Sequence, residues 1–251
     1  MVTPPRSLKT AFGRFFFACL LLAIPFRAHA IGLEIGAGVA QYDHRQDGIW
    51  YQQGLPHSLG LRSPAFLFGA WGDVNPVLRW HLDAVDLGSA SVDSWDTPAD
   101  ADYSPQTHQC LRNCTNLAHF IGGGRVYGIA ATLEAHTSGQ WQVGIEGGPW
   151  LYHSAWAVQV PNYFQAAGWS ANTTPTQVAP WGWMPGGLQR NKTGWGLGSV
   201  IGLSLRHAGL GLSLRHYFDG RGWPMRYANG AYDGWPPIWT GQTVLMITYS
   251  F

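Results

Sequence analysis

The sequence predicts an all-β fold: an eight-stranded antiparallel, transmembrane up-and-down barrel with short periplasmic turns and long outer loops. Three observations predict it. Segments of about ten residues alternate apolar and polar side chains at a period of two, the repeat of a strand with two unlike faces. The charges inside these segments share a parity with glycine, serine and threonine, opposite Leu, Ile, Val and Trp, so that face cannot look into hydrocarbon. Tight-turn tripeptides and long Gly-, Pro- and Trp-rich stretches take turns between segments.

Residues 1–30 read as a cleaved signal peptide and 31–251 as the barrel. Arg6, Lys9 and Arg14 precede an apolar run from Phe15 to Pro25, and Ala28-His29-Ala30 supplies a small-x-small cleavage pattern. The run is too short for a membrane-spanning helix. Acylation at Cys19 is the competing reading, but it leaves only a brief apolar stretch after Arg14. Without residues 1–30 the chain holds 11 Lys+Arg against 14 Asp+Glu, a formal charge of −3, which leaves no basic field for nucleic acid.

Each strand follows from its alternation. The first, Leu33 to Tyr42, sets Leu33, Ile35, Ala37 and Val39 against Glu34, Gly36, Gly38 and Ala40. The second, Ala65 to Gly72, is apolar on both parities, with Phe66 and Phe68 read as outward; Asp73-Val74-Asn75-Pro76 then turns the chain. The third, Val77 to Leu87, opposes Leu78, Trp80, Leu82 and Ala84 to Arg79, His81 and Asp83, and residues 88–124 read as irregular. The fourth, Arg125 to His136, turns at Thr137-Ser138-Gly139 into the fifth, Gln140 to Tyr152, and residues 153–192 read as the longest loop. The sixth, Gly194 to Arg206, turns at His207-Ala208-Gly209 into the seventh, Leu210 to Asp219. After a loop at 220–237 the eighth, Ile238 to Phe251, places Trp239, Gly241, Thr243, Leu245, Ile247, Tyr249 and Phe251 outward.

On this parity Glu34, Arg79, His81, Asp83, Glu134, Glu146, Arg206 and Arg215 all face the lumen. An eight-stranded barrel is just wide enough to be filled by side chains, so mixed charges there are expected to pair as a structural network rather than to line a gated ion path. Tyr42, Trp71, Tyr127, Trp141, Tyr152, Trp195, Trp239 and Tyr249 read as interfacial girdles. Trp156, Trp169, Trp181, Trp183, Trp223 and Trp235 fall in loops, where they would fold a cap or present a sugar- or partner-binding surface. Cys110 and Cys114, in CLRNC, are expected to form a small disulfide loop in an exported protein, a metal site being the weaker reading. No phosphate loop, nucleophile elbow or run of metal-ligand spacing is present, so neither a metal nor another cofactor is expected. Asp43-His44-Arg45-Gln46-Asp47 reads as a solvated loop rather than a cation site.

Two resemblances add to this. The terminal aromatic strand resembles the closing strand of bacterial outer-membrane barrels, which implies recognition by the barrel-assembly machinery. Ser213-Leu214-Arg215-His216-Tyr217-Phe218-Asp219-Gly220 resembles the strand carrying the His-x-Ser-Asn pattern of the lipid A 3-O-deacylase family, also eight-stranded outer-membrane barrels. Val143-Gly144-Ile145-Glu146-Gly147-Gly148 and Gly196-Leu197-Gly198 are similar to that family's preceding strands. The resemblance implies a base at His216. Phe218 stands where the family has its nucleophilic Ser, Asp219 where it has Asn, and Thr240 and Gln242 occupy the region of its orienting Glu.

The expected protein is thus a monomeric barrel of the bacterial outer membrane, contacting its lipids and lipopolysaccharide. Its role is expected to be structural or surface-recognition, carried by the outer loops. The alternative is a lipid A-modifying acyl hydrolase centred near His216, and a narrow pore is a third possibility.

Overall fold

The computed structural model describes residues 31–44, 55–96, 102–104, 109–112, 117–162, 182–184, 187–219 and 239–251. Eight strands build the wall: β1 (Gly32–His44), β3 (Arg62–Asn75), β4 (Leu78–Asp96), β7 (Ala118–His136), β8 (Trp141–Val160), β10 (Gly187–His207), β11 (Leu210–Phe218) and β12 (Trp239–Ser250). Four short pieces accompany them: β2 (His57–Gly60) on β4, β9 (Gly182–Met184) on β10, and the isolated pair β5 (Asp102–Ser104) and β6 (Gln109–Arg112). Each wall strand runs antiparallel to its neighbours, and β12 pairs with β1 from Glu34↔Ser250 to His44↔Trp239. That pairing closes the ring and leaves no wall strand with an open edge. The signal peptide, Cys114 and the Trp residues at 169, 181, 223 and 235 lie outside the described residues, as do the side chains of Cys110 and Trp183.

The exterior is inverted relative to a water-soluble barrel. Ile35, Val39, Phe66, Phe68, Leu82, Ile129, Val143, Ile145, Leu197, Ile201, Leu203, Leu212, Leu214, Leu245 and Ile247 are all exposed. They form a continuous belt, while Glu34 and Asp83 are fully buried. Such a belt is stable only against lipid, so the strands span a membrane. The turns at 76–77, 138–140 and 208–209 lie at the short, periplasmic end. In the last, Ala208 (φ 49°) and Gly209 (φ 83°) are both left-handed, the geometry that joins two twisted strands through two residues.

The strands run further than their alternation suggested. β4, β7, β8 and β10 continue well past the belt, through much of what read as irregular sequence at 88–124 and 153–192. Backbone pairing holds these extensions together: β7 to β8 reaches Ile121↔Gln159 and β8 to β10 reaches Val160↔Leu188. Gly-rich sequence at 122–124 hid this from propensity, because a glycine strand is stabilised by its neighbours rather than by itself.

The interior has two tiers. The periplasmic half is polar, holding Glu34, Arg79, His81, Asp83, Thr132, Glu134, Glu146, Ser204, Arg206 and Arg215. Above it lies an apolar tier of Tyr42, Leu67, Val85, Leu87, Trp150, Tyr152, Val200, Tyr217 and Trp239, continued between the extensions by Val92, Phe120, Trp156 and Val158. Trp150 stacks on Tyr152 at 4.8 Å and meets Tyr217 edge-on at 4.9 Å, filling the cross-section. Three residues read as girdle are therefore core: Tyr42, Tyr152 and Trp239. Tyr42 donates to Gly88 O at 2.8 Å and packs on Trp239 at 5.4 Å. Trp239 turns inward because the β1–β12 register shifts between Asp43 and His44, reversing parity above the shift. Tyr127, Trp141, Trp195 and Tyr249 do stand outward, whereas Trp71 is half-buried at the periplasmic mouth.

Gly88 sits in the register shift of β4 against β7, between Asp86 and Ser89, at φ +68°. A Cβ there would overlap Ser63 Oγ and approach Pro64 O to 2.6 Å. Gly88→Ala is expected to cost about 1–3 kcal/mol, read as a lower urea midpoint for the refolded barrel.

Candidate functional sites in the lumen and on the barrel wall

The lumen charges form two hydrogen-bonded clusters, one around Arg215 and one around Arg206. Arg215, on β11, donates from Nη1 to Asp83 Oδ2 at 2.7 Å, from Nε to Glu146 Oε1 at 2.7 Å and from Nη2 to Glu146 Oε2 at 3.0 Å. Thr132 Oγ1 donates to the same Glu146 Oε2 at 3.0 Å. Arg206, on β10, donates to Glu34 Oε2, which also accepts from Ser250 Oγ at 2.9 Å. Arg206 Nε lies 3.7 Å from Glu134 Oε2, and His81 Nε2 lies 2.8 Å from that same oxygen. Ser204 donates to the other Glu134 oxygen. Arg79 stands apart at the mouth, bonding half-exposed Asp73 at 2.7 Å with its guanidinium 4.3 Å over Trp71.

All eight charged residues placed in the lumen by parity are thus buried there, drawn from β1, β4, β7, β8, β10 and β11. Every one sits at alternate positions of its strand, which is why sequence could place them on one face. Which acid meets which base depends on barrel shear, and no spacing along the chain encodes that. A cleft of about 230 Å³ opens at the periplasmic mouth among Trp71, Arg79, Gln142 and Arg206. The apolar tier above closes the other end.

His216 occupies a different place, on the outer wall at the upper edge of the belt, with its side chain 25% exposed. Its Nδ1 is 2.9 Å from Thr243 Oγ1 and its Nε2 is 3.7 Å from Asp43 Oδ2. Phe218 packs edge-on against the imidazole at 4.2 Å, so an aromatic ring fills the position that the deacylase pattern gives to a nucleophile. The partner on the last strand is Thr243, not Thr240 or Gln242. The register shift turns Thr240 toward Asp43 O, whereas Gln242 keeps the lumen face that its parity gives it and bonds Asp219 at 3.1 Å. Burial pushes the Asp219 carboxyl up to about 7, Gln242 opposing the shift.

Above the belt, polar and aromatic groups gather on the outer surface. Arg125 pairs with Asp86, and Arg62 Nε donates to Gln41 Oε1 at 2.9 Å. Nearby, His153 stacks on Tyr127 at 4.9 Å and meets Trp195 at 5.1 Å. Higher still, Trp95 and His119 stack in parallel at 4.4 Å, and His119 Nε2 bonds Asp93 at 2.8 Å.

No family model and no curated protein matches the chain. Among solved structures it is similar to Ail, the attachment invasion locus protein of Yersinia pestis (11% identity, TM-score 0.38, covering 88% of this chain and 98% of that one). It is similar also to the outer membrane protein OprG from Pseudomonas aeruginosa (11% identity, TM-score 0.37, 89% and 97% covered). Neisserial surface protein A is a third (14% identity, TM-score 0.35, 88% and 97% covered). Likenesses this distant add no weight to a functional assignment; the closed wall, its apolar belt and its charged interior identify the chain on their own terms as an eight-stranded β-barrel of the outer-membrane type.

Proposed function

We propose that this chain is a bacterial outer-membrane barrel with a surface-recognition role, its wall prolonged beyond the lipid as a stiff pedestal for the outer loops. The observation that supports it is the extension of β4, β7, β8 and β10, paired along its length and packed on Phe120, Trp156 and Val158. Ordered wall above the membrane does nothing for insertion; it holds a surface at fixed distance and orientation from the lipid. Arg62, Arg125, Tyr127, His153 and Trp195 sit where headgroups end, and guanidinium groups with aromatic faces suit the phosphates and sugars of lipopolysaccharide. The packed apolar tier argues against conduction through the barrel. The test is binding of refolded barrel to immobilised lipopolysaccharide, with residues 163–181 replaced by a Gly/Ser linker and, separately, with Arg62 and Arg125 changed to Ala. Loss of binding by folded variants supports the reading; equal binding by all of them defeats it.

The acyl-hydrolase reading keeps a foothold in one observation. Thr243, His216 and Asp43 place a hydroxyl, an imidazole and a carboxylate in a row at the lipid surface, the order of groups that activates an oxygen nucleophile. Against it stand Phe218 over the ring and a threonine hydroxyl already hydrogen-bonded within the wall. Lipid A from an outer membrane expressing the protein is expected to keep its mass. An acyl chain lost with wild type and retained with His216→Ala and Thr243→Ala would instead establish the enzyme.

A further inference from the structure

Three of the buried lumen groups each keep one polar atom without a hydrogen-bond partner: Glu34 Oε1, His81 Nδ1 and Asp83 Oδ1. These residues are at most 2% exposed, and one ligand atom from each lies within 4.8 Å of the others. Their remaining atoms are already engaged. Glu34 Oε2 accepts from Arg206 and Ser250, Asp83 Oδ2 accepts from Arg215, and His81 Nε2 faces Glu134 Oε2 at 2.8 Å. Because an ionised Glu134 can only accept, His81 donates from Nε2, and the neutral ring then offers a lone pair on Nδ1. An imidazole held by a carboxylate on one nitrogen and open on the other is the arrangement of a metal-binding histidine with its supporting acid.

The backbone makes room for one of these carboxylates. Gly69, on β3, is the cross-strand partner of Glu34 on one side and Asp83 on the other. A Cβ on Gly69 would overlap Asp83 Oδ1 and stand 3.1 Å from Leu82 O, so only glycine lets the Asp83 carboxylate lie over β3 toward Glu34. Charge points the same way. Setting aside Arg79, which pairs with Asp73 at the mouth, the buried acids of this half are Glu34, Asp83, Glu134 and Glu146, against Arg206 and Arg215 among the described residues. With His81 neutral and the four acids ionised, two negative charges are left uncompensated in a region where unpaired charge is costly, so full ionisation calls for a cation.

We infer that Glu34, His81 and Asp83 form a buried site for one divalent first-row transition-metal cation, with Glu134 as the group that positions His81. One imidazole nitrogen with two carboxylate oxygens selects a borderline ion over Mg²⁺ or Ca²⁺, which take oxygen alone. An ion holding such ligands at about 2.0–2.2 Å draws the three atoms slightly inward. It ties β1 to β4 across Gly69 and balances the two excess charges. The cleft at the periplasmic mouth, walled by Arg206, offers the way in.

The test uses the refolded barrel in detergent micelles, stripped with chelator and given Zn²⁺ alone or Co²⁺ alone. Wild type is expected to retain one equivalent after desalting and to melt at a higher temperature with Zn²⁺ but not with Mg²⁺. Asp83→Asn and Glu34→Gln are expected to lose the equivalent while keeping the gel-mobility shift of a folded barrel, and Glu134→Gln to weaken binding by about 10–100-fold. If those variants do not fold, X-ray absorption on the wild-type zinc form decides. One nitrogen among oxygens in the inner shell supports the site, and several imidazoles, as a surface histidine cluster would give, overturn it. Retention of no ion by folded wild type, or full retention by folded Asp83→Asn, overturns it as well; the first result would mean that protons balance the trio.

Discussion

Arg215→Leu is expected to destabilise the barrel by about 3–5 kcal/mol, the cost of stranding buried charge after one partner is removed. The guanidinium is 1% exposed and spans from Asp83 on β4 to Glu146 on β8. Removing it leaves two carboxylates in a packed interior with too few donors. The measurement is the urea midpoint of refolding into lipid vesicles, followed by the gel-mobility shift. Asp83→Asn and Glu146→Gln added to Arg215→Leu are expected to recover part of the loss, since they remove the charge that was stranded. The control is Arg125→Leu, whose pair with Asp86 lies on the exposed surface and is worth about 0–1 kcal/mol. Equal effects at Arg215 and Arg125 would mean that the lumen network contributes no more than surface pairs do.

Ile201→Arg is expected to cost about 2–4 kcal/mol, because this exposed side chain on β10 meets the middle of the hydrocarbon. Thr193→Arg, on the same strand and the same face but above the belt, is expected to cost about 0–1 kcal/mol. Both substitutions add one guanidinium to the outside of the wall, and the loss of the Thr193–His153 hydrogen bond at 2.8 Å works against the expected ordering, so a larger cost at Ile201 reads depth in the bilayer. In a water-soluble barrel the ordering vanishes, since a surface arginine is then tolerated at either position. The pair of measurements therefore tests the inverted polarity of the barrel more directly than any binding assay.

The wall was legible because alternation is local. Leu203 and Leu205 against Ser204 and Arg206, or Leu212 and Leu214 against Ser213 and Arg215, announce their faces without knowledge of any neighbour. Length was not legible: Phe120 and Trp156 belong to strands only because β7, β8 and β10 pair above the membrane. At the outer edge of the belt a shifted register sent Trp239 inward and Thr240 outward against their parity, while the regular pairing of β11 with β12 set Thr243 beside His216.

By itself, then, the sequence determined that eight two-faced strands turn grease outward and charge inward, since a period of two requires only the pleat of each strand. Tertiary structure decided the rest: which acids meet Arg215 and Arg206, where the lumen changes from polar to apolar, and how Glu34, His81 and Asp83 come to share one small space. These depend on the stagger between strands far apart in the chain. Glu34 and Asp83 become neighbours because Gly69 lies opposite both, and that relation exists only once the sheet is paired.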